Sequence, residues 1–103
     1  MQDFVKVAST DELQPGTMKL VEVGDERILL VNHEGHLYAW TEECPHSGGS
    51  LSEGDLNGNE VECPLHGSRF DVTTGEVTEG PAEEALGRYA VRVSGKDVLV
   101  GPA

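Results

Sequence analysis

Two short stretches place thiols beside imidazoles: Cys44-Pro45-His46 and, sixteen residues later, Cys63-Pro64-Leu65-His66. They hold both cysteines of the chain and two of its four histidines. Two thiolates and two imidazoles at that spacing can hold a metal centre as two facing loops. The donor set suits two irons bridged by sulfide, each iron taking one ligand type from both loops. A tetrahedral zinc site with two Cys and two His is also chemically open. Structural zinc sites, however, group their ligands as a Cys-x2–4-Cys half and a His-x3–5-His half, whereas each half here mixes the two types. A disulfide between Cys44 and Cys63 is the third possibility, although nothing else suggests a stapled secreted domain.

Short strands must carry these loops. Phe4-Val5-Lys6-Val7 alternates and is expected to form the first strand. Ser9-Thr10-Asp11-Glu12 has the form of a capping box, Ser9 capping and Glu12 reaching back, opening a single helical turn that Pro15-Gly16 ends. Met18–Val23 reads as a strand, Gly24-Asp25-Glu26 as a tight turn, and Arg27–Val31 as a largely buried strand. Asn32-His33-Glu34-Gly35 is the next turn, and His36–Trp40 is the strand that delivers the chain to Glu42 and Cys44. His33 and His36 lie at that turn, outside the Cys/His motif, and are expected to be exposed rather than ligands. Tyr38 and Trp40 are expected in the core, since large aromatics dominate small cores. The small-sided segment Ser47–Gly54 would let backbone N–H groups approach sulfide and aim hydrogen bonds at it. Leu51 is expected to tuck beneath the centre. Asn57-Gly58 signals a hairpin into Glu60-Val61-Glu62. Arg69–Val72 and Glu76–Thr78 are strands around the turn Thr73-Thr74-Gly75. Residues 82–86 are too short for a helix, and Tyr89–Val93 and Asp97–Val100 close the chain around Ser94-Gly95-Lys96. The pattern predicts an all-β fold of small antiparallel sheets in a single domain, 1–103. Its cluster-binding subdomain spans about 41–80 and is formed by two inserted loops.

A chain of 103 residues is one domain, small enough to gain from a metal staple. No apolar run approaches the length of a membrane span. The start, Met-Gln-Asp-Phe-Val-Lys, has neither a basic n-region nor an apolar h-region, so no signal peptide is expected. Cysteines kept as metal ligands fit a cytoplasmic location. The net charge of −12 is uneven: eleven acidic residues and only Arg69 fall between Glu42 and Glu84, for −10, leaving −2 elsewhere. Such a middle repels phosphates, which excludes nucleic acid as a partner. It could instead steer basic redox partners toward an acidic docking face, an effect that salt screens.

Residues 44–70, Cys-Pro-His-Ser-Gly-Gly through Cys-Pro-Leu-His-Gly-Ser-Arg-Phe, resemble the two cluster-binding loops of the Rieske family. Compact length and strand-rich flanks extend the similarity to a single-domain Rieske-type ferredoxin, like those of bacterial aromatic-ring-hydroxylating dioxygenase systems. The resemblance implies one Rieske [2Fe-2S] cluster, with Cys44 and Cys63 on the buried iron and His46 and His66 on the outer iron. Gly80-Pro81-Ala82 resembles the third loop that covers such clusters. Respiratory members carry an extra cysteine in each loop, joined as a disulfide; those places here hold Gly49 and Leu65. They also follow the second histidine with a serine and a tyrosine that donate to sulfur, where this chain has Ser68 and Phe70. One lost donor destabilises the more negative reduced state. That predicts the low half of the family range of about −150 to +300 mV, with Ser68 keeping it off the floor.

The implied role is a soluble one-electron carrier between an NAD(P)H-dependent flavoprotein reductase and a terminal non-haem iron oxygenase. Solvent-facing His46 and His66 would be the electron port. No set of residues suggests substrate catalysis, so the chain reads as a carrier and not an enzyme. The small subunit of an NAD(P)H nitrite reductase, similar in size and fold, is the alternative; a structural zinc-binding module is another.

Overall fold

The structure is a computed structural model, and it describes residues 4–45, 48–65, 67–80 and 84–102. Among the described residues ten strands run β1 Val5–Ser9, β2 Thr17–Val23, β3 Glu26–His33, β4 His36–Thr41, β5 Asp55–Asn57, β6 Glu60–Glu62, β7 Arg69–Asp71, β8 Val77–Glu79, β9 Arg88–Ser94 and β10 Asp97–Pro102. They form two antiparallel sheets, a six-stranded one in the order β1-β10-β9-β4-β3-β2 and a four-stranded one in the order β5-β6-β7-β8. The edge strands β1 and β2 also touch, so the larger sheet curls most of the way to a barrel. The smaller sheet is inserted between β4 and β9 in sequence, and its strands carry the Cys/His loops. The all-β expectation therefore holds.

β3 explains how the two sheets join. Ile28, Leu29, Leu30 and Val31 are all fully buried, as a run of apolar residues on a strand covered on both faces should be. Alternate side chains go to opposite faces. Ile28 and Leu30 meet Val21, Ala39, Val98 and Val100 inside the curled sheet. Leu29 and Val31 meet Trp40, Leu51, Val61, Phe70, Val72, Leu86 and both cysteines in a second core beneath the insert. Burying each large aliphatic contributes about 1.5–3 kcal/mol, so one strand anchors both halves. Trp40 adds a polar tie: its indole N–H donates to Val72 O at 2.8 Å. It sits in the core, as its place in a short strand suggested.

Three local readings differ. The turn at Thr10–Glu12 is a single 3-10 turn after Ser9, but Ser9 makes no side-chain cap, so the capping box does not form. Asn32 and His33 belong to β3, leaving Glu34-Gly35 as the turn. Asn32 is nearly buried because its amide donates to Leu13 O and its Oδ1 accepts from Gly35 N–H. In the β5–β6 hairpin Asn57 pairs with Glu60, so the central pair is Gly58-Asn59. Gly58 takes φ 61° while Asn59 does not turn positive, the pattern of a glycine-first type II′ loop.

Candidate metal centre

The two cysteine loops share one backbone closure. Cys44 N–H donates to Gly49 O at 2.9 Å, and Cys63 N–H donates to Ser68 O at 2.8 Å. Each cysteine thus opens a loop closed by the carbonyl five residues on. Below the first loop, Glu43 bridges Ser50, and Leu51 N–H donates to Glu42 O. Below the second, Glu62 pairs with Arg69 and Val61 with Phe70 on β6 and β7. The 3-10 turn Leu51–Glu53 then leads into β5.

Two glycines bring the loops together. A Cβ at Gly49 would lie 3.1 Å from Cys63 Sγ and 3.2 Å from Leu65 Cγ. A Cβ at Gly54 would overlap the carbonyl of Glu62 and press on Pro64. The exit of the first loop is therefore seated against the second. Gly49 and Leu65, the pair that the resemblance sets against the bridging cysteines of respiratory members, face each other here.

Cys44 and Cys63 are both buried, at 2% and 1% exposure, and are not joined as a disulfide. They share one apolar cluster with Leu51, which is fully buried, and Phe70. Ser68 is fully buried beside them. His46 and His66 lie outside the described residues, as do Pro81 and Ala82 of the Gly80-Pro81-Ala82 segment. His33 and His36 face each other across the β3–β4 hairpin, away from the cysteines. Among the described residues no group of three or more His, Cys, Asp or Glu stands close enough to hold a metal ion.

The surroundings are acidic. Across the smaller sheet Asp55 faces Glu62 and Glu60 faces Asp71. Arg69 lies 3.0 Å from Glu62 and 3.4 Å from Glu79, and its hydrogen bond to Glu62, then the charges of Glu79 and Glu62, raise its pKa. Sequence reasoning missed Glu42. It is a carboxylate at zero exposure, and only its place two residues before Cys44 hinted at a role.

The model of the Rieske [2Fe-2S] domain family matches residues 3–93. The chain belongs to the Rieske [2Fe-2S] domain family. It is 41% identical over 98 residues to a protein named biphenyl dioxygenase ferredoxin subunit from Pseudomonas sp. (strain KKS102), covering 94% of this chain and 90% of the relative. The solved ferredoxin of carbazole 1,9a-dioxygenase from Nocardioides aromaticivorans IC177 superposes with TM-score 0.91 at 35% identity, over 99% of this chain and 100% of that one. A chain in the complex of reduced oxygenase and oxidized ferredoxin of carbazole 1,9a-dioxygenase matches with TM-score 0.91 at 36% identity, over 98% of this chain and 94% of its own length.

The family's prosthetic group is one Rieske-type [2Fe-2S] cluster. The residues present fit it. Two buried thiols from two loops converge over an apolar floor, and the space beside Cys63 Sγ is kept open by the missing side chain of Gly49.

Proposed function

We propose that this protein is a soluble, cytoplasmic one-electron carrier of an aromatic-ring dioxygenase system, taking electrons from an NAD(P)H-dependent flavoprotein reductase and delivering them to a terminal oxygenase. The convergence of the Cys44 and Cys63 loops in a chain that matches dioxygenase ferredoxins over nearly its whole length carries this reading. Cys44, His46, Cys63 and His66 would hold the cluster, the cysteines on the inner iron and the histidines on the outer. When bound, that cluster supplies a reversible one-electron couple. The chain's own residues do the rest. Leu51, Val61 and Phe70 exclude water beneath the cysteines. Ser68 would donate to sulfur, and Phe70, without a hydroxyl, cannot; the midpoint potential then belongs in the low half of the family range.

Pairing with a terminal oxygenase rests on the relative solved in complex with one. Docking through an acidic face rests on Asp55, Glu60, Glu62 and Glu79 flanking the single cation Arg69 on the outer side of the smaller sheet. Cytoplasmic residence rests on Cys44 and Cys63 serving as metal ligands, as proposed, and not as a disulfide. No helix among the described residues is long and apolar enough to cross a membrane. The whole chain, 1–103, is proposed as one folding unit, because both cores draw on β3 and β4.

Stepwise reduction of the purified protein, followed by visible and EPR spectra, tests the reading. The expected result is a red-brown protein with a mean g below that of all-cysteine ferredoxins and a low midpoint. A colourless protein holding zinc and no iron after anaerobic reconstitution would overturn it. Stable co-purification with a large sirohaem protein would make it a nitrite reductase subunit instead.

A further inference from the structure

We infer that Glu42 is the positioning residue that clamps shut the base of the first cluster loop, an assignment that rests on Cys44 being a ligand as proposed above. A carboxylate taken fully out of water costs several kcal/mol unless its oxygens find donors. Glu42 finds them on the far side of the loop. Ser52 N–H donates to Oε1 at 3.0 Å and Ser52 Oγ–H donates to Oε2 at 2.6 Å. The Arg27 guanidinium stands 3.9 Å from Oε2. The main chain of the same residue is used as well: its N–H donates to Arg27 O at 3.2 Å and its carbonyl accepts from Leu51 N–H at 3.0 Å. One residue thus ties the entry of the loop to its exit and to β3.

The second loop offers a built-in contrast. Its base is closed by Glu62 and Arg69, whose side chains are 32% and 44% exposed. Exposed pairs of that kind hold by about 0–1 kcal/mol. The two loops share one backbone closure, a cysteine N–H on the carbonyl five residues on, but differ in their side-chain closure, one a buried clamp and one a wet ion pair. Glu42 lies two residues from Cys44, whose N–H closes the loop on Gly49 O. The clamp therefore acts on where Cys44 is held, through the loop and not by touching the cluster.

The test uses the holoprotein and the variants Glu42→Ala, Ser52→Ala and Glu42→Gln. Iron release to a ferrous chelator is followed after reduction, and amide hydrogen exchange is read at Cys44 and Leu51 against Cys63. Removing outer partners of metal ligands typically weakens metal binding by about 10–100-fold. Glu42→Ala and Ser52→Ala should accordingly release iron at least about tenfold faster, with exchange rising at Cys44 and Leu51 and not at Cys63. Glutamine keeps an acceptor for Ser52 N–H and offers a donor to Ser52 Oγ, so Glu42→Gln should stay within about threefold of the parent. Release at the parent rate from both alanine variants would overturn the clamp. So would exchange rising equally at Cys44 and Cys63, which marks general loosening. If Glu42→Ala does not fold, Ser52→Ala decides alone. A parent chain that takes up no cluster would instead overturn the ligand assignment, and the exchange pattern would still decide the clamp.

Discussion

Gly49 shows how closely the two cysteine loops approach. Its missing side chain is what allows Cys63 Sγ and Leu65 to approach the first loop. Leu65 is about half exposed and can move away from an added methyl, but Cys63 is fully packed. Overfilling a packed site costs about 1–3 kcal/mol, and here the neighbour that must give way is the thiol itself. Gly49→Ala should therefore lower iron content per chain and the thermal midpoint together. Pairing it with Leu65→Ala should relieve the aliphatic contact yet leave iron content low. Full recovery of iron in the double variant would show that Leu65, and not the thiol, sets the limit.

Among the elements, the turn after β7 has its own pH signature. Asp71 Oδ1 accepts from Thr73 N–H at 2.8 Å and from Thr73 Oγ1–H at 2.6 Å, and Asn59 reaches the other oxygen. Partial burial pushes the Asp71 pKa up, but the Thr73, Asn59 and Thr74 hydrogen bonds together outweigh it and hold it below the ordinary 3.8. The native state then binds fewer protons than the unfolded chain. This contribution is present above the ordinary aspartate value and is lost as pH falls through the lowered folded value. Asp71→Asn keeps an acceptor for Thr73 N–H but removes that titration. It should lower stability at neutral pH by about 1 kcal/mol and flatten the acid limb of a plot of thermal midpoint against pH. An acid limb as steep as the parent's would place the titration elsewhere. The strands themselves were legible because alternation and turn residues act over a few positions, as in β2, β6 and β10. The four-residue stretch Ile28–Val31 announced a strand covered on both sides. Ser9 misled because a capping box supposes an α-helical first turn, and the chain makes a 3-10 turn there. The burial of Glu42 and Asn32 was not legible, because it depends on partners well away in sequence, Ser52 and Leu13. That Cys44 and Cys63 meet in one core was legible because their two short loops match in residue type and order.

At the scale of the whole molecule, charge is the dominant asymmetry. Of the net −12, the stretch 42–84 carries −10, and in the fold much of it lies on the smaller sheet around the cysteine loops. Fields of this kind raise association rates with oppositely charged partners by about 10–10³. They fade once the Debye length shrinks below about 10 Å, near 0.1 M salt. Stopped-flow electron transfer from the reduced protein to the proposed oxygenase partner should accordingly slow by about tenfold from low to high salt. Glu60→Gln with Glu79→Gln should blunt that dependence. A rate indifferent to salt would remove the acidic face from the docking step. Trp40, finally, is the only tryptophan of the chain. It is buried with its N–H on Val72 O and shares a core with Cys44 and Cys63. An indole in so dry a pocket emits toward the blue, and a cluster held by Cys44 and Cys63, as proposed, would absorb that light. Trp40 emission would then serve as an optical gauge of occupancy, dim while the centre is loaded and bright once it has emptied.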